Sequence, residues 1–179
     1  MELTLRSITP EDAPIVAQIY THYIHHTVST FHEIPKTIEA YRQQIEELSA
    51  VYPFLVAEAD GVFLGFANAE PFRPQSGYRY TAELTIYLHP DAPKHAGIGR
   101  KLYQALLAQL RDMHYVNVLA CISGENEASI VFHRSFGFEE MAVFPKVAYK
   151  QGRWLDAVWM RKTLLSTEKA PLEPLHVHN

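Results

Sequence analysis

Glu83 heads an apolar run, Leu84-Thr85-Ile86-Tyr87-Leu88, and the glycine turn Lys94-His95-Ala96-Gly97-Ile98-Gly99-Arg100 follows a few residues later. The turn leads into a helical run from Lys101 to Met113. Amides at a helix N-terminus have no partners inside the helix, and with the helix dipole they attract phosphate. Gly97 and Gly99 carry no Cβ, so a diphosphate can come close to that backbone. A carboxylate at a strand end can take a proton from a bound group. Glu83 is therefore the candidate general base. The bland alternative is a solvated strand-end glutamate, or the partner of a nearby arginine.

Arg73 and Arg79 flank Ser76-Gly77-Tyr78 just ahead of Glu83. Arginine grips a carboxylate through two parallel hydrogen bonds, so this stretch is the candidate anchor for an anionic group of a substrate. Phe31 and Tyr78 are candidate pocket walls, although aromatics in such places are as often plain core. Cationic acceptors would call for an acidic pocket, and the arginines argue against that. His22 and His26 stand four apart on a helical stretch with His25 between them. No fourth ligand of suitable spacing follows and there is no H-E-x-x-H, so no metal is expected. His176 and His178 belong to the tail and receive no role.

The elements that must position these residues can be read from periodicity and punctuation. Leu3, Leu5 and Ile8 alternate like a first strand. Thr9-Pro10-Glu11-Asp12 opens a helix whose apolar face is Ile15, Val16, Ile19, Tyr20 and Tyr23. Thr37 caps a second helix over 38–48. Asp60-Gly61 joins two strands, 54–58 and 62–67, as a hairpin. The loop 71–77 leads into a strand over 80–88, and after the glycine turn come a strand over 116–122 and a short helix over 127–135. Gly137 closes that helix. Strands over 139–147 and 154–163 follow, joined by Gln151-Gly152. The chain is thus one α/β domain over 1–165, with a sheet that is antiparallel early and parallel around the glycine turn. The tail 166–179 reads as mobile or packed on a neighbour. A doubly wound dinucleotide fold would put its glycine turn after the first strand; here it follows the fourth.

Composition narrows the function classes. The 179 residues are 47% hydrophobic and 20% charged, which is enough apolar chain for one good core. A net charge of −4 argues against a general nucleic-acid binder. No apolar stretch approaches the roughly 20 residues needed to span a bilayer, and the first residues lack signal-peptide features, so no membrane partner and a cytoplasmic location are expected. Cys121 is the single cysteine, in an apolar run, and reads as buried packing.

In this order, the motifs resemble the GCN5-related N-acetyltransferase superfamily, which binds acetyl-CoA. Its signature, [Gln/Arg]-x-x-Gly-x-[Gly/Ala] at a helix start, is matched by Lys94 through Gly99, with Lys94 in place of the usual first residue. Asn126-Glu127-Ala128-Ser129-Ile130, leading to Phe132-His133-Arg134-Ser135-Phe136-Gly137-Phe138, resembles the family's later motif. Arg79 to Glu83, Gly152 to Asp156, Ile19-Tyr20 and 27–31 are similar to the phosphinothricin and methionine-sulfoximine acetyltransferase branch. The resemblance covers residues 2–165. It implies a mixed sheet of about seven strands with about four flanking helices.

The resemblance also implies roles. Acetyl-CoA is the co-substrate, held by the turn from Lys94 to Arg100, by Ile86, Tyr87 and Leu88, and by Asn126, Ser129 and Ser135. Backbone N–H groups of residues 86–88 would serve the thioester oxygen if the strand splays from its neighbour, as it does in the family. Many relatives use a tyrosine to protonate the departing thiolate; here His133 is the candidate, against a histidine that only packs the helix. Glu83, Phe31, Arg73, Ser76, Gly77, Tyr78 and Arg79 would meet the acceptor, an amino-acid analogue acetylated on its α-amine. Other amine acceptors (a polyamine, a peptide N-terminus) and a non-catalytic acyl-CoA-binding module are the competing readings. A homodimer is expected from the resemblance and from the prevalence of two-fold assemblies.

Overall fold

Alternate residues of the central strands face two different helix layers. The structure, a computed structural model, describes residues 2–177; His178 of the tail lies outside them. The strands are β1 (Leu3–Ser7), β2 (Phe54–Ala59), β3 (Val62–Pro71), β4 (Thr81–Leu88), β5 (Asn117–Ser123), β6 (Glu139–Lys150) and β7 (Arg153–Thr163). The helices are α1 (Ala13–His26), α2 (Ile38–Ser49), α3 (Ile98–Asp112) and α4 (Glu127–Ser135). In β2, Leu55, Ala57 and Ala59 pack toward Leu102, Leu106 and Leu110 of α3. Phe54 and Val56 pack toward Val16 and Ile19 of α1 and Ile45 of α2. Period-2 alternation in the strands and i, i+4 spacing in the helices produce this three-layer arrangement.

The sheet runs β1-β2-β3-β4-β5-β7-β6. Only the β4–β5 pair is parallel, with α3 as its crossover. The Asp60-Gly61 hairpin forms with positive φ at both turn residues, the conformation that Asp-Gly favours. Thr37 accepts from the Ala40 N–H at 3.1 Å and starts α2 where expected. Gly137 follows α4 with φ 79°, and the Phe138 N–H returns to the His133 carbonyl.

Three boundaries differ from the sequence reading. Helix α3 begins at Ile98, because the glycine turn is itself the helix entry and Gly97 is the N-cap. A 3-10 turn, Pro10–Asp12, precedes α1. Strand β6 extends to Lys150, past an irregularity between Phe144 and Ala148 where the Lys146 N–H donates to Asp156 Oδ1 at 2.8 Å. The described part of the tail is held on its own chain: the Leu175 N–H donates to the Met113 carbonyl, and the Val177 N–H to the Val51 carbonyl.

Candidate active site

Strands β4 and β5 pair only at Thr81–Asn117, Ala82–Val118 and Glu83–Leu119. Beyond Glu83, β4 stays with β3 as far as Leu88–Gly65, and β5 stays with β7 as far as Ser123–Ala157. The two strands therefore open into a V with Glu83 at its apex. Gly65 helps to hold β4 away from β5. A Cβ there would sit 2.7 Å from the Tyr87 carbonyl oxygen, so only glycine lets β3 approach so closely. The Tyr23 hydroxyl also donates to the Leu88 carbonyl at 3.0 Å, fixing the end of β4 to α1.

A cavity of about 350 Å³ fills the V, lined by Ile86, Tyr87 and Leu88 on one side and by Cys121, Ile122, Asn126, Ser129, Phe132 and His133 on the other. Gly99 closes its end. Gly97 takes φ +74°, a left-handed conformation that a side chain would strain, and no side chain caps the amides that follow it. Those amides and the α3 dipole make an anion seat at the end of an apolar slot. Lys94, His95 and Ala96 lie exposed on the loop before α3, and Arg100 lies over the Phe136 ring at 5.4 Å; none of the four lines the slot. Asn126 caps α4 by accepting from the Ser129 N–H at 3.1 Å. Ser135 is not brought to the slot. It is exposed at the far end of α4, where its hydroxyl donates to the Phe132 carbonyl at 2.7 Å.

A second cavity of about 450 Å³ lies across β4. Glu83, Glu70, Phe31, Lys36 and Tyr20 line it, and it shares Ser29, Thr85, Tyr87 and Cys121 with the first. Burial, together with the neighbouring Glu70 charge, pushes the Glu83 carboxyl up to about 7, while Arg73 pulls the other way. A base poised near neutrality thus faces one cavity at the point where the other begins. Cys121 belongs to this junction rather than to closed packing. Burial and the Glu83 charge push its thiol up to about 12, so it is a protonated wall residue and no nucleophile.

Five further predicted site residues stand differently from expectation. The Arg79 guanidinium is taken by Glu173 of the tail, with Nε and Nη2 donating at 2.9 and 2.7 Å, and it lines neither cavity. The tail residue that claims it lay outside any periodic pattern. Ser76 and Gly77 form an exposed 3-10 turn with Tyr78, whose ring packs on Phe72; these also stand off the cavities. Arg73 remains within electrostatic range of Glu83. His133 is 3% exposed, and its Nδ1 donates to the Ser129 carbonyl at 2.7 Å. That bond fixes the neutral tautomer with a bare Nε2, and burial lowers the ring's affinity for a second proton. A ring in that state accepts a proton instead of supplying one, which argues against the expected role as acid. Glu70, Ser29 and Lys36 were not singled out in the sequence, and Cys121 was read there only as buried packing. Glu70 lies near the end of β3, and only its register against Glu83 gives it meaning.

Comparison with known proteins agrees with this geometry. Residues 5–159 match the family described as the acetyltransferase (GNAT) domain. The phosphinothricin N-acetyltransferase of Alcaligenes faecalis is 36% identical over 163 residues, covering 90% of this chain and 82% of that protein. The L-methionine sulfoximine/L-methionine sulfone acetyltransferase of Salmonella typhimurium is 34% identical over 166 residues, covering 90% and 95%. A solved structure of a GNAT superfamily phosphinothricin acetyltransferase from Sinorhizobium meliloti, in complex with AcCoA, superposes with a TM-score of 0.92 at 30% identity, covering 99% of this chain and 97% of that one.

Proposed function

The chain belongs to the GNAT acetyltransferase family, and from that premise we propose that it moves an acetyl group from acetyl-CoA to the α-amine of a small amino-acid analogue. Phosphinothricin, methionine sulfoximine and methionine sulfone represent the acceptor class. The observation that carries this reading is the position of Glu83, at the apex of the β4–β5 split with a cavity on each side. The relatives' names supply the acceptor class, and Arg73 beside the base supports an acceptor that carries an anion.

The slot fits the co-substrate: the amides after Gly97 suit a diphosphate, and the apolar walls of β4 and β5 suit a pantetheine arm. When bound, acetyl-CoA supplies the acetyl thioester. The β4 edge that turns away from β5 presents backbone amides to an oxygen gaining charge. Glu83 takes one proton from the acceptor ammonium, and the freed lone pair attacks the acetyl carbon as the carbon–sulfur bond breaks. The ammonium gives up two protons in all, the departing sulfur takes one, and one is released. Holding both reactants across Thr85 and Tyr87 supplies much of the rate.

A cytoplasmic location and a two-fold assembly complete the reading. A co-substrate made inside cells supports the first; among the described residues no helix is long and apolar enough to cross a membrane. Val143, Phe144, Val147 and Trp154, each about half exposed on the β6–β7 hairpin, support the second. Light scattering should return the mass of two chains. The deciding assay follows thiol release from acetyl-CoA against phosphinothricin, methionine sulfoximine, methionine sulfone, spermidine and a peptide. Turnover of the first three is expected. Turnover confined to spermidine or the peptide would overturn the acceptor class.

A further inference from the structure

Glu70 on β3 stands directly opposite Glu83 on β4 in the antiparallel register, and both carboxylates line the acceptor cavity. Directly opposed side chains have Cβ atoms about 5 Å apart, and like charges there repel. Such a pair destabilises the sheet unless one member holds a proton. No hydrogen bond or ion pair engages either carboxylate among the described residues. Arg73 is the cation nearest to Glu83 in effect; from the loop ahead of α2, Lys36 acts on Glu70.

We propose that Glu70 is a positioning residue that acts through Glu83: its negative charge, set across the strand pair, makes Glu83 the stronger base for the acceptor ammonium. The inference rests on the acetyltransferase reading above. In the step concerned, one N–H bond of the ammonium breaks and one O–H bond forms on Glu83; burial raises the Glu70 carboxyl as well, and the Lys36 charge opposes that rise. Burial alone already raises a carboxyl at the apex of the V. A second one opposite keeps the proton on Glu83 until near neutrality. Both residues are only partly shielded, so water can relay the proton.

Other groups face Glu83 without replacing this role. From β5, the Cys121 thiol is protonated and neutral. Tyr20 of α1 and Tyr87 of β4 have hydroxyls pushed up by burial, so both stay neutral. His32, on the loop after α1, has its ring pulled down by burial and is neutral at and above neutrality. Arg73 is a cation and acts on Glu83 in the opposite sense, while Lys36 acts on Glu70. Of these neighbours, Glu70 is the carboxylate whose charge raises the proton affinity of Glu83.

The test is the pH profile of kcat/KM for Glu70→Gln, which keeps size and removes charge. The acidic limb should move down by about one pH unit, the scale of a like charge at this separation. The plateau should fall severalfold, as expected of a weaker base, and Glu70→Asp should restore most of the shift. An unmoved limb in Glu70→Gln would overturn the proposal and leave Glu70 a packing residue. Side-chain carboxyl titration by ¹³C NMR needs no turnover and works on the unaltered protein. One carboxyl should titrate near neutrality, and it should move to lower pH in Glu70→Gln; two independent titrations in the ordinary range would also overturn the proposal. Failure of the acetyltransferase reading looks different: the unaltered protein would then release no thiol from acetyl-CoA with any of the amines, whatever the NMR coupling shows.

Discussion

Lys150 donates to the Thr30 carbonyl at 2.8 Å, joining positions 120 apart in the sequence. Its side chain is fully enclosed, a costly place for an ammonium, and burial lowers its proton affinity. Beside it, the Gln151 side-chain amide donates to the carbonyls of His25 and Thr27. The β6–β7 turn therefore clamps the segment after α1, and that segment carries Ser29 and Phe31 into the cavities.

Lys150→Met fills the same space and removes the donor. A hydrogen bond to a charged group contributes about 1.5–3 kcal/mol, so the KM for the acceptor should rise roughly tenfold or more. The KM for acetyl-CoA should change less, because only Ser29 of the clamped segment reaches the slot. Equal changes in both constants would show that the clamp serves stability alone.

Glu83 yields a prediction about folding as well as catalysis. Its carboxyl is held at about 7 in the folded protein, above its ordinary range. Below about pH 4 it is neutral in both folded and unfolded chains, and ionisation carries no penalty. As the pH rises toward 7 the unfolded chain gives up the proton first, so the folded state loses stability. Above 7 the penalty is constant, at most about 3 kcal/mol. Glu83→Gln should therefore melt several degrees higher than the unaltered protein at pH 8 and nearly level with it at pH 4. A difference in Tm that ignores pH would remove the linkage.

The two arginines should separate in kinetics. Arg79 is exposed and held by Glu173, so Arg79→Ala should leave the acceptor KM within about twofold. Arg73 acts on Glu83 and has no ion-pair partner among the described residues, so Arg73→Ala should raise that KM roughly tenfold for an amino-acid acceptor. Spermidine, which brings no carboxylate, should not discriminate between the two variants. Equal losses on the amino-acid acceptor would return Arg79 to the site.

What could be read in advance followed the local signals. Asp60-Gly61, Thr37 and Gly137 each act within a few residues, and each element they bound formed where expected. The glycine turn was legible for the same reason, although its last residues, Ile98, Gly99 and Arg100, already belong to α3. Register was not legible: nothing adjacent to Glu70 marks it as the partner of Glu83. Arg79 was misread because its partner lies 94 positions away, in a tail with no periodicity. Cys121 looked like core because alternation gives the face of a strand, while a gap beside the strand depends on where β4 and β5 part.

His133 gives the last prediction. Its ring packs edge-on against Tyr103 at 5.1 Å and Phe138 at 5.2 Å, and its one N–H is spent on Ser129. An acid for the departing thiolate would need a second proton on a ring whose burial resists charge. His133→Phe keeps an aromatic body in the same enclosure, and the Ser129 carbonyl still has the helix amide bond expected for its position in α4. That variant should keep kcat within about threefold and leave the basic limb of the pH–kcat profile in place. Loss of the basic limb together with a hundredfold fall in kcat, the size of effect expected when a general acid is removed, would give the proton transfer back to His133.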